Sequence, residues 1–234
     1  MVDPQSQVAW ADDRALVERC LRGERPAERE LFRRERGRVH GTLYRVLGSN
    51  RDMDDLMQEA FFAVFRSLKG FRGEARLSTW IDRIVVRVAY RYLSHKRPLP
   101  VPLEAIPDPQ TDEAVDQRAH AREGVRRLYE ALAELAPAAR VAFALHAIDG
   151  RPIADVARLT ASSVIATKVR IWRARRELER RAAADPVLSE FMDESPAAES
   201  PAPEPDAPDV PPATAGAAPL STPGVRPLDK EGAR

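Results

Sequence analysis

Asp55, Gln58 and Glu59 stand three and four positions apart, the spacing that gathers side chains on one face of a helix. Phe62 continues that face, so two carboxylates and an amide share a surface with an aromatic ring. Such a set binds rather than reacts: acids steer a basic partner, and the ring offers a packed anchor to a helix. The same pattern also describes a merely solvated face. A second set is cationic. Arg83, Arg87 and Arg91 fall four apart, with Tyr90 and Tyr92 beside them and Lys96-Arg97 after them. A guanidinium row of this kind tracks phosphates, and rings nearby can stack on unpaired bases. A third set, Lys168, Arg170, Arg173 and Arg176, lies in a run that also carries Ile165, Ala166 and Val169.

Reaction chemistry has little to work with. His40, His95, His120 and His146 are scattered, with no Cys or carboxylate at metal-ligand spacing. There is no glycine-rich phosphate loop and no Ser or Cys nucleophile placed near a His. The chain is therefore expected not to be an enzyme and to need no metal, cofactor or small-molecule substrate. Cys20, the single cysteine, sits in an apolar helical run and reads as a small buried hydrophobe in a reducing compartment.

Helices must position these groups, because apolar residues recur three and four apart through most of the first 180 or so positions and period-two alternation is scarce. The fold class expected is all-α. A first helix is predicted from Asp12 or Asp13 to Gly23, and a second from Pro26 to Gly48. A third runs from about Ser49-Asn50 to Gly70, with Met53, Leu56, Met57, Ala60, Phe61, Val64 and Leu68 as its inward stripe. After a loop from Phe71 to Leu77, Ser78 or Thr79 is expected to cap a fourth helix that Pro98 halts. Trp80 is assigned to the core. Val125, Leu128, Leu132 and Leu135 open a second helical unit, followed by a helix from Pro137 to Gly150. Pro152 then starts a short helix to Leu159; a tight connection, Thr160 to Ser162, leads to a long basic helix from Ser163 to about Ala182. Short helix, tight turn and long basic helix form the helix-turn-helix pattern.

Composition divides the chain further. Between Pro98 and about Ala121 five prolines mix with acids, which predicts an extended linker. After Ala184 the run is Pro, Ala and acid, and reads as a disordered tail. The expected organisation is thus a domain over 1–97, a linker over 98–121, a helix-turn-helix domain over 122–184 and a tail over 185–234. The net charge of +1 conceals a split: 10 acidic against 3 basic side chains follow Ala184, which leaves 34 basic against 26 acidic before it. A cationic body suits a polyanionic partner. The N-terminus lacks the pattern of a secretory signal, and the longest strongly apolar run, Val141 to Ile148, is too short to span a bilayer, so a cytoplasmic protein without membrane contact is expected.

The run Asp54-Asp55-Leu56-Met57-Gln58-Glu59-Ala60-Phe61, followed by Phe71-Arg72-Gly73-Glu74-Ala75-Arg76-Leu77-Ser78-Thr79-Trp80-Ile81, resembles the second region of extracytoplasmic-function sigma factors. Two motifs occur in the right order at the right spacing. The resemblance implies that Asp55, Gln58 and Glu59, with Phe62, dock on the clamp coiled coil of core RNA polymerase. It further implies that the loop and following helix, with Phe71, Arg72, Arg76, Arg83, Arg87, Tyr90 and Arg91, read and open the minus-ten promoter element. A loop of this kind can hold a base flipped from the stack.

Asp155-Val156-Ala157-Arg158-Leu159 and Arg173-Ala174-Arg175-Arg176-Glu177-Leu178 resemble the fourth region of the same family, which implies minus-thirty-five recognition and contact with the polymerase flap. The middle departs from the family: Ala161 stands where Gly is usual in the turn, and Ile165-Ala166-Thr167 where Gly-Thr-Val is usual. A helical wheel points Val164, Thr167, Ile171, Ala174 and Leu178 inward. It points Ser162, Ile165, Ala166, Val169, Arg173 and Arg176 outward, with Arg170 at the flank. With Ser163 and Lys168, these form the candidate minus-thirty-five surface, on which the apolar residues meet either thymine methyl groups or a partner protein. An anti-sigma factor is a further partner the resemblance implies. Rival readings are a stand-alone helix-turn-helix regulator and a degenerate sigma-like protein that binds polymerase without initiating.

Overall fold

The computed structural model describes residues 4–95 and 112–194. Among the described residues all regular structure is helical, as the periodicity requires. The first half comprises α1 (Pro4–Leu21), α2 (Arg25–Leu47), α3 (Met53–Ser67) with a 3₁₀ turn over Leu68–Gly70, and α4 (Leu77–His95). The second half comprises α5 (Asp112–Ala133), α6 (Pro137–Phe143) running into a π-helical turn over Ala144–Ile148, α7 (Ile153–Leu159), α8 (Val164–Ala182) and α9 (Pro186–Glu194).

Local signals set several ends where they were expected. Pro26 lies in the first turn of α2, where its missing N–H is not needed. Gly48 ends that helix in the left-handed region at φ 70°, with its N–H donating to Tyr44 O at 2.7 Å. Met53, Leu56, Ala60, Phe61, Val64 and Leu68 are all buried, with Met57 packed at the margin, so the inward stripe of α3 is as predicted. Cys20 is buried too.

The start of α4 has a different origin from the one expected. Neither Ser78 nor Thr79 caps it; the helix begins at Leu77, whose N–H donates at 2.9 Å to a carboxylate of α1, Asp13 Oδ2. Asp13 also takes Arg34 and, at 3.3 Å, Arg76 Nε. It is 1% exposed and sits in the middle of α1, which opens at Pro4 rather than at Asp12 or Asp13. An aspartate that reads as a local cap thus caps a helix 64 residues away.

Two more boundaries differ. α5 opens at Asp112, inside the stretch expected to be extended linker, since the prolines stop at Pro109. α9 covers Pro186–Glu194, the first residues of the expected tail. Its start is local: Asp185 Oδ1 accepts from Leu188 N–H at 3.2 Å, and Pro186 fills the first helical position. Leu188 is buried, Met192 packs beside it, and α9 lies so close to α5 that a Cβ on Gly124 would stand 2.5 Å from the Phe191 ring. The remainder of the expected linker and tail lies outside the described residues.

The halves pack on one another. α6 and α7 lie against α4, and Val141, Leu145, Val156, Leu159 and Ile171 join the apolar core of the first four helices. The second half also closes the end of α2. Arg140, 2% exposed, donates from Nε to Val46 O at 3.1 Å and from Nη2 to Leu47 O at 2.7 Å. Tyr129 Oη donates to Arg45 O at 2.8 Å, and its ring occupies the space a Cβ on Gly48 would need. These carbonyls lack partners within their helix, and a cation at a helix C-terminus complements its dipole. Burial pulls the Arg140 pKa down to about 10. Asp82, fully buried on α4, accepts from Arg38 Nε at 2.9 Å within the first half and from Arg151 Nη1 at 2.6 Å across the junction.

Candidate docking and nucleic-acid surfaces

On α3, the buried stripe turns the opposite arc outward. Asp55 and Gln58 are exposed, Glu59 is half-exposed, and Phe62 is 67% exposed, so the acidic set and its aromatic neighbour form one open surface. Phe32 of α2, itself exposed, tilts against the buried Phe61 ring with centroids 4.6 Å apart. Asp52 accepts from Tyr92 Oη, and burial together with this bond pushes the Tyr92 pKa up to about 12. Glu59 pairs with Arg91 of α4.

The cationic row of α4 is brought together only in part. Arg87 and Arg91 are exposed, whereas Arg83 is half-buried with its Nε inside the protein. Tyr90 is half-buried and packs on the core. In the preceding loop Phe71 packs edge-on against Trp80, centroids 5.7 Å apart. Trp80 therefore leans on the core as expected, and Phe71 leans on it. Arg72 is exposed, but Arg76 is tied to Asp13. Burial raises the pKa of Asp13, yet the Leu77 N–H and the Arg34 and Arg76 guanidiniums outweigh it and hold the carboxyl below its ordinary value. The loop between α3 and α4 is thus pinned to α1 at one end.

The helix-turn-helix forms as its sequence indicates. Pro152 precedes α7, Ser162 N–H donates to Ala157 O at 2.9 Å, and Ser163 caps α8 by accepting from Ala166 N–H at 3.0 Å. Ala161 takes φ 50°, the left-handed conformation for which glycine is the cheaper residue.

Side-chain placement along α8 departs from the single-stripe wheel. Ile165 is 63% exposed, and Lys168, Arg173 and Arg176 are exposed as expected. Ala166, Val169 and Arg170 are buried instead, because α6 and α7 both pack on α8 and its inward arc is wider than one stripe. Arg170 Nη1 donates to Ser162 Oγ at 2.9 Å. Val164, assigned inward, is 44% exposed in the first turn. Trp172 was missed: it is half-buried, and Arg176 lies over its ring, 5.8 Å from the centroid. The wheel places Trp172 in line with Ile165 and Arg176, which is the signal that would have found it.

The fold and these surfaces define an all-helical protein of the helix-turn-helix class with a separate acidic and aromatic face. The family described as Sigma-70 region 2 matches residues 31–98, and Sigma-70, region 4 matches residues 125–178. The chain is 30% identical over 181 residues to the ECF RNA polymerase sigma-E factor of Haemophilus influenzae, covering 72% of this chain and 94% of that one. It is 27% identical over 188 residues to the RNA polymerase sigma-H factor of Pseudomonas aeruginosa, covering 76% and 96%. Among solved structures, that of CnrH in complex with the cytosolic domain of CnrY holds a chain that matches with a TM-score of 0.51 at 25% identity, covering 74% of this chain and 98% of that one. The chain belongs to the extracytoplasmic-function sigma factors and is a promoter-recognition factor of that family. No described helix is long and apolar enough to cross a membrane.

Proposed function

We propose that this sigma factor docks on the clamp coiled coil of core RNA polymerase through Asp55, Gln58, Glu59 and Phe62, and on the flap through its second half. In the same reading the loop from Phe71 to Leu77, with Arg72, Arg87 and Arg91, meets the minus-ten element. α8 enters the minus-thirty-five element with Ile165, Lys168, Arg173 and Arg176. Arg76, Arg83, Ala166, Val169 and Arg170 support these surfaces from behind.

The observation that carries this reading is the coexistence, in one chain, of an open acidic face with an exposed ring on α3 and an exposed basic recognition helix. Charge supplies steering and salt-dependent affinity, and the ring supplies a desolvated anchor. The complex of CnrH with the cytosolic domain of CnrY supports a regulatory protein partner here as well, as an anti-sigma factor would be. The chain does no chemistry of its own in this reading; the polymerase does.

Run-off transcription with purified core polymerase tests the proposal. Wild-type chain is expected to associate with core and start transcripts at selected promoters, and alanines at Asp55, Gln58 and Glu59 together to abolish association. Intact association of that triple variant refutes the docking assignment.

A further inference from the structure

The hydroxyls at the start of α8 are engaged. Ser163 Oγ accepts from Ala166 N–H, Ser162 Oγ accepts from Arg170, and the fully buried Thr167 hydroxyl donates to Ser163 O at 2.9 Å. Beside the exposed capping Ser163, what faces outward there is aliphatic: Ile165 at 63% and Val164 at 44% exposure, with Lys168 one turn on. At 100° per residue Ile165, Trp172 and Arg176 fall within about 20° of one line, flanked by Lys168 and Arg173. Arg176 lies about 16 Å beyond Ile165 along the axis, farther than the roughly 12 Å width of the major groove. A recognition helix enters the groove by its N-terminal residues, so its early side chains meet base edges and its third and fourth turns pass over the phosphates.

We propose that Ile165 is a specificity-determining residue that packs on the C5-methyl group of a thymine in the major groove, while Arg173 and Arg176 lie along the phosphates. This rests on the DNA-binding reading of α8 given above. DNA is favoured over a protein as the occupant because the aliphatic tip is set in a cationic helix, with seven basic side chains against Glu177 and Glu179. An aliphatic group reads no donor or acceptor, and thymine is the base that offers the major groove a methyl. Arg176 lies over the Trp172 ring and pairs with Glu179 at 3.7 Å.

The test uses holoenzyme assembled from the full chain and core polymerase. Duplexes are first selected from a random pool, and each thymine of the upstream element is then replaced by deoxyuridine, which deletes the methyl alone. Wild type is expected to lose about fourfold in affinity at one position, the factor for one methyl group left in water. Ile165→Ala should bind the thymine duplex with a similar loss and be indifferent to the replacement. A variant that keeps the full thymine preference, or a wild type that selects a sequence yet shows no methyl dependence, overturns the assignment while leaving promoter recognition standing. Selection of no sequence at all fails the parent reading instead. An Ile165→Ala chain with unchanged DNA affinity also overturns it and turns the patch to a protein partner.

Discussion

The Arg91 guanidinium of α4 bonds to the Glu59 carboxylate of α3, so the cationic row and the acidic docking face share a pair. Both side chains are substantially exposed, and such pairs contribute about 0.2–1 kcal/mol. Glu59→Gln is therefore expected to weaken association with core polymerase and, in the free chain, to strengthen nonspecific DNA binding by no more than a few-fold. The gain should fade as salt rises. Fluorescence anisotropy on labelled DNA at low and high salt measures it; an unchanged or lower affinity at low salt contradicts the sharing.

Asp13 carries a second prediction. Its removal takes the cap from α4 and leaves Arg34 and Arg76 without their shared carboxylate, so Asp13→Ala should cost about 2 kcal/mol or more in urea unfolding. Its folded pKa is depressed, so the stability it contributes is present above the ordinary aspartate value and is lost as pH falls through the lower folded value. The gap between wild type and Asp13→Ala should accordingly narrow on acidification below about pH 4. A gap that is constant between pH 7 and pH 3 would exclude this role.

Glu35 behaves in the opposite sense. It is 3% exposed, and burial raises its pKa against the pull of Arg34 and Arg38. A carboxyl whose folded pKa lies above the unfolded one favours folding when protonated; that advantage disappears as pH rises through the folded value. Glu35→Gln should therefore match or exceed wild type in melting temperature at pH 7 and lose any advantage at low pH. A lower melting temperature for the variant at pH 7 would show that the Arg34 pair outweighs desolvation.

Ala161 sits in the left-handed region, which costs a Cβ-bearing residue about 1–2 kcal/mol. Glycine removes that strain at an entropic cost of its own. Ala161→Gly should raise stability by up to about 1 kcal/mol, read in urea unfolding, and leave promoter selectivity unchanged. A destabilised variant would place the strain elsewhere.

The readable parts of the sequence were those whose cause lies within a few residues. Pro26 and Gly48 bound α2, Pro152 precedes α7 and Ser163 caps α8, each through backbone groups of its own turn. The buried stripe of α3 was legible because α2 and α4 take one face of that helix and leave Asp55, Gln58 and Phe62 to solvent. The cap of α4 was not legible, since its donor and acceptor are 64 residues apart. Nor was the burial of Ala166, Val169 and Arg170, because several helices decide how wide an arc of α8 is covered. At α9 a local signal did exist in Asp185-Pro186, but the composition of the run that follows it concealed the helix.

The joint at the end of α2 is a plug in a socket whose lining is hydrophilic. Should the second half swing away, the carbonyls of Arg45, Val46 and Leu47 and the Arg140 guanidinium would all regain hydration. That recovered solvation offsets part of the apolar surface uncovered at the same moment. Those polar contacts therefore contribute less net free energy to the seam than an apolar contact of equal area would.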